Sequence, residues 1–132
     1  MTQTISDFLT AHGITMTAKR VDQNPNMGDA TMDHWQCVFR KGRQSFKTFY
    51  SMGSAHRGKE PKAAEVLNCL ASDAASVVNT GGFEEWARDL GFDPDSRKAE
   101  KIFNTIEKQA TKLAKFLGDD AYQDLICEVE RL

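Results

Sequence analysis

Apolar and polar residues change rhythm along this chain, from a period of two near the N-terminus to a helical period beyond it. Ile14, Met16 and Ala18 alternate with Thr15, Thr17 and Lys19, which predicts a half-buried strand over 14–22. Alternation returns from His34 to Arg40, with Trp35, Cys37 and Phe39 on one face. It returns again from Arg43 to Met52, where Phe46, Thr48, Tyr50 and Met52 share a face. Lys41-Gly42 separates these two runs, and a glycine that tolerates positive φ at that place predicts a β-hairpin. Ahead of the strands, Ile5 to Ala11 reads as a short helix capped by Thr4 or Ser6 and stopped by Gly13.

From Pro61 the period becomes helical. Ala64, Leu67, Ala71 and Ala74 form one stripe, with Ala63, Val66, Leu70 and Val77 beside it, and Pro61 suits the first helical position. Thr80-Gly81-Gly82 breaks this helix, and Phe83, Trp86, Ala87 and Leu90 mark a short one ended by Gly91. The longest helix begins near Asp93-Pro94 or at Ser96. Its buried stripe is Ala99, Ile102, Phe103, Ile106, Ala110, Leu113 and Leu117, and Gly118 stands where a C-terminal cap belongs. A last helix runs from Asp119 to Leu132. The order α-β-β-β-α-α-α-α segregates strands from helices, so the expected class is α+β: a three-stranded antiparallel sheet packed with a C-terminal helical layer. We expect one domain over 1–132, with an αβββα part over 1–79 and a helical part over 80–132.

Composition narrows the setting. Hydrophobic residues at 40% and charged residues at 27% are ordinary for a globular chain. No apolar run reaches the length of a membrane span, and the first residues lack the basic start and apolar core of a signal peptide. The expected location is the cytoplasm, without membrane attachment. Cys37, Cys69 and Cys127 are expected to be reduced thiols packed as small hydrophobes. The net charge of -2 conceals a division. Residues 14–62 carry nine Lys/Arg against four Asp/Glu, whereas residues 63–132 carry eight against fourteen. One part is basic and the other acidic, a pattern that sets surface fields and partners more than fold.

Chemistry is harder to find. No Cys-x-x-Cys, no His-Glu-x-x-His and no other close pair of ligands at metal spacing occurs, so neither metal nor cofactor is expected. Ser54 lacks the frame of a nucleophile elbow, and Cys37 alternates onto the apolar face. Glu84-Glu85, Asp93, Asp95 and Asp119-Asp120 are accounted for by helix caps and the helix dipole. No catalytic residues are assigned. What remains is a set of cations on strands, hairpin tip and the loop before the first long helix: Lys19, Arg20, Arg40, Lys41, Arg43, Lys47, Arg57, Lys59 and Lys62. The order helix, three strands, helix also matches the layout of a double-stranded RNA-binding domain, where the start of the second helix touches phosphates. Glu60, between Lys59 and Lys62, is the wrong sign for that role. Solvated strand faces, phosphate contact and an acidic protein partner are the three readings of these cations. Met27 and Met32, in the long polar loop over 23–33, are further candidate contacts.

The phrases LNCLASDAAS, FEEWARDLGFDPDSRKAEKIF and KFLGDDAYQDLI, with ITMTAKRVDQNPNM nearer the start, resemble a family of short proteins encoded by tailed bacteriophages and prophages. The likeness covers most of the chain and brings no catalytic motif. By class it implies an accessory protein without enzymatic activity that binds and inhibits a host defence complex, most readily a CRISPR effector, as an anti-CRISPR does. Host protein or nucleoprotein is then the partner, and Glu84, Glu85 and Asp89 are candidates for an acidic face that occupies a nucleic-acid channel. The alternative is a nucleic-acid-binding module that uses the basic hairpin and the loop over 56–62.

Overall fold

The computed structural model describes residues 2–25, 32–53, 59–78 and 80–130. Elements follow in the order α1 (Thr2–Ala11), β1 (Ile14–Val21), β2 (Asp33–Lys41), β3 (Gln44–Met52), α2 (Ala63–Val78), α3 (Phe83–Asp89), α4 (Arg97–Leu117) and α5 (Asp119–Glu130). The class is α+β, and the sheet is antiparallel with strand order β1-β2-β3. The chain divides into two compact units, Met1–Asn68 and Cys69–Leu132, with the boundary inside α2.

In the first unit the strands form because alternation gives each a face to bury. Cross-strand partners lie on the same side of a sheet. The rows Ile14–Lys41–Gln44, Met16–Phe39–Phe46, Ala18–Cys37–Thr48 and Arg20–Trp35–Tyr50 therefore share one face. Cys37 and Phe39 are 0% and 1% exposed, and Phe46, Thr48 and Met52 are buried with them. Gly42 has φ 59, so a two-residue turn of Gly42 and Arg43 closes the hairpin between Lys41 and Gln44. α1 packs on β1 and buries Ile5, Phe8 and Leu9, and Gly13, at φ 64, turns the chain from helix into strand. That helix starts at Thr2, ahead of both expected caps. α2 starts at Ala63, with the Val66 amide donating to the Lys62 carbonyl, so Pro61 precedes the helix instead of opening it.

In the second unit an aromatic cluster does what the ladder does in the first. Trp86, 1% exposed, lies 5.2 Å from Phe103, 6.3 Å from Phe83 and 5.4 Å from Phe92, the last in a stacked geometry. Its indole N–H donates to Ser76 Oγ at 3.2 Å, so the polar edge of a buried ring is satisfied. α3 ends in a Schellman arrangement: the Phe92 amide donates to Ala87 O at 2.7 Å and the Gly91 amide to Arg88 O at 3.2 Å, with Gly91 at φ 79. The stacked Phe92 is the apolar contact that accompanies this motif. Ser96 caps α4, its hydroxyl accepting from the Ala99 amide at 3.2 Å. Asp93, expected as a cap, instead accepts from the Asp95 amide within the preceding turn. Ala74, Ala75 and Ile126 form a further buried cluster with Ala110, Tyr122 and Val129 around it.

Candidate functional site

The strand register sorts the candidate cations by face. Thr15–Arg40–Ser45, Thr17–Val38–Lys47 and Lys19–Gln36–Phe49 are the rows opposite to the buried ones. Lys19, Arg40 and Lys47 therefore converge on the outer face of the sheet, and all three are exposed. Among the described residues, no Asp or Glu occupies a paired position on that face. Arg40 donates to the Thr17 hydroxyl at 3.1 Å, and the Lys47 ammonium sits 6.0 Å from the centre of the Phe49 ring. Val38 lies between the cations on the central strand and Phe49 on the β3 edge, both half-buried. The arrangement is a cationic face with Val38 at its centre and an aromatic, Phe49, on its β3 edge beside Lys47.

The other cations fall elsewhere. Arg20 and Lys41 belong to the core face, at opposite ends of the sheet. Arg20 pairs with the buried Asp33 carboxylate at 2.7 Å and lies 5.9 Å from the Trp35 ring centre, so it closes the end of the core. Arg43 stands in the hairpin turn. Lys59 and Lys62 are exposed ahead of α2, with exposed Glu60 between them. Arg57 and Met27 lie outside the described residues, as does the first part of the loop over 56–62, residues 56–58, on which the double-stranded RNA layout depends. The eight described cations thus form no single patch. Three of them form a face.

At the far end the outer face is closed. Asn24 Nδ2 donates to Ser51 Oγ at 2.9 Å, and Ser51 Oγ and His34 Nδ1 are 2.7 Å apart. His34 and Asn24 are buried, at 5% and 8% exposure. A hydroxyl against an imidazole is the geometry of an activated nucleophile. Here it serves to latch the chain after β1 onto the sheet, because Ser51 is engaged by Asn24 and the imidazole is covered. Sequence reasoning missed this network; its only signal is that His34 and Ser51 are cross-strand partners, which requires the register.

The thiols divide too. Cys37 is buried, as expected of a small hydrophobe, whereas Cys69 and Cys127 are exposed. That part of the expectation is corrected: α2 and α5 are not apolar all round, and these positions fall on their solvent sides. Burial, helped by Glu60, pushes the Cys37 thiol up to about 11. At neutral pH only about one such thiol in ten thousand is the nucleophilic thiolate.

The proposed acidic face is occupied by local tasks. Glu85 Oε2 accepts from the Gly81 amide at 2.6 Å, satisfying a donor at the start of α3. Glu84 faces Arg88 one turn on, at 3.9 Å. Asp89 is exposed at the end of the helix. Among the described residues, no group of three or more His, Cys, Asp or Glu is placed to hold a metal ion, and no helix is long and apolar enough to cross a membrane. Comparison of the chain with protein-family models, with curated proteins and with solved structures found no match to any of them.

Proposed function

We propose that this is a non-catalytic accessory protein of a tailed phage or prophage, which inhibits a host defence complex, a CRISPR effector before others. In this reading it works by engaging the nucleic acid of that complex through the outer face of the sheet. The observation that carries the contact is the placement of Lys19, Arg40 and Lys47 on one face of the sheet, with Phe49 beside Lys47 and no carboxylate at a paired position among them. Like charges on one face repel unless a polyanion joins them, and phosphates release condensed counterions when they do. An aromatic ring beside a cation at the edge of the face offers an unpaired base a stacking surface, which favours single strands over duplex. The viral part of the proposal is supported by the sequence resemblance alone. Burial of the Cys37 thiol and of the His34 imidazole beside Ser51 supports a binding role over a chemical one.

The test pairs binding with inhibition. Single-stranded oligonucleotides of about 16 nucleotides, the upper site size of one such module, are titrated by fluorescence anisotropy at several salt concentrations. Wild-type protein should bind, and the Lys19→Glu/Arg40→Glu/Lys47→Glu variant should lose the affinity, with the salt slope falling by about 2 for three phosphates. In parallel, purified CRISPR effectors are assayed for target cleavage with either protein. Inhibition that survives in the triple variant would overturn the sheet face as the contact. Absence of inhibition by the wild type across effector types would overturn the CRISPR reading.

A further inference from the structure

Helix α4 carries a second charged surface that the net charge of its half of the chain hides. At 100° per residue, Arg97, Lys101, Lys108, Lys112 and Lys115 fall within roughly 60° of arc, on the side opposite Ala99, Ile106, Leu113 and Leu117. All five are exposed. At 1.5 Å per residue the stripe runs for about 27 Å along a straight rod. Between its members stand Asn104, Thr105 and Thr111, polar and uncharged; Glu100 and Glu107 lie on the flank, about 80–100° away.

A solvated helix that merely needs solubility alternates its charges, so that acid and base meet at i and i+4. This stripe does the reverse. Arg97–Lys101 and Lys108–Lys112 are like-charge i,i+4 pairs, and Lys112–Lys115 is a like-charge i,i+3 pair. Such pairs destabilise a helix. None of the five has an ion-pair partner among the described residues. A run of like charge on the outermost line of a long, well-capped helix, with an acid at helical spacing only where Glu100 follows Arg97 by three residues, is complementary to a linear array of negative charge.

We infer that this stripe is a docking surface for the phosphate backbone of double-stranded nucleic acid, contacted without regard to sequence. Lysine supplies four of the five cations, and an ammonium meets a phosphate as a point charge instead of reading a base edge bidentately. A straight, rigid row suits a backbone whose own course is regular. It offers no aromatic for an unpaired base, which separates it from the outer face of the sheet. The inference stands on α4 alone and does not depend on the proposal made for Lys19, Arg40 and Lys47.

The experiment uses the full chain and a blunt B-form DNA duplex of random sequence, with affinity measured across salt. The variant is Arg97→Gln/Lys101→Gln/Lys108→Gln/Lys112→Gln/Lys115→Gln, since glutamine keeps helix propensity while removing charge. Wild type should bind the duplex, and the variant should lose that affinity with the slope of log K against log salt falling by about 4.5. Because the substitutions relieve repulsion, the variant should melt at the same temperature or higher. If it instead fails to fold, Lys108→Gln/Lys112→Gln is read alone, with a slope change of about 1.8 expected. A wild type that does not bind duplex at about 50 mM salt overturns the inference. So does an unchanged slope in the variant, or duplex binding removed by Lys59→Gln/Lys62→Gln and not by the α4 changes.

Discussion

The outer face of the sheet and the surface of α3 each present three candidate charges, and the fold treats them in opposite ways. On α3, Glu85 satisfies the Gly81 amide and Glu84 faces Arg88, so two of the three carboxylates already have work within or beside their own helix. On the sheet, Lys19, Arg40 and Lys47 meet a hydroxyl and a ring but no carboxylate. Availability for a partner is therefore set by what the neighbours in the fold ask of a charge, and the sum over a segment conceals it. The basic stripe of α4, inside the half of the chain that sums to an acidic charge, is the same lesson with the sign reversed.

The comparison can be broken most forcefully through the core that positions α3. Trp86→Ala removes the ring around which Phe83, Phe92 and Phe103 gather, and should cost about 3–5 kcal/mol in chemical denaturation. A loss below about 1 kcal/mol would mean that charges, and not aromatic packing, hold α3 in place.

The sheet has a counterpart that pH reaches. The unfolded Cys37 thiol ionises near its ordinary 9.0, whereas the native one keeps its proton to about 11. Deprotonation therefore favours the unfolded chain in that window, and stability should be full below about pH 9 and fall as pH rises toward 11. The distance between those two values bounds this thiol's share of the loss at about 3 kcal/mol. Urea titrations at about pH 8 and about pH 11 would check it, and a flat profile would contradict the burial that raises this thiol.

Capping gives a smaller effect. Ser96→Ala leaves the Ala99 amide without its acceptor and should cost about 1 kcal/mol in thermal melting. An unchanged melt would place the start of α4 elsewhere. The smallest effect is expected on the acidic side of the comparison. Glu84→Lys/Asp89→Lys should alter stability by no more than about 0.5 kcal/mol, since the Glu84–Arg88 pair is long and exposed. It should leave inhibition intact. Loss of inhibition with the fold preserved would return the contact to α3 and away from the sheet.

Much of this architecture is legible in one dimension because each element needs only its own repeat. Ile14, Met16 and Ala18 announce β1, Gly42 the hairpin, and Ala99, Phe103 and Leu113 the buried side of α4. Termini were less legible where a cap competes with a neighbour: Ser96 and Asp93 are both good acceptors close to a helix start, and only geometry assigns the helix cap to one and the turn to the other. Cys69 and Cys127 were misplaced because residue type alone says nothing about which side of an amphipathic helix a position occupies.

What the sequence determined by itself is the class of fold, the number and order of its elements and the identity of most core residues, since periodicity and the burial it implies are local properties. What the tertiary structure decided is which charges act together. Lys19, Arg40 and Lys47 come from three strands, and only the register between those strands places them on one face and sends Arg20 and Lys41 to the other. A shift of one residue in any pairing would reverse that assignment, because side chains alternate across a sheet and hydrogen bonds between strands fix which ones meet.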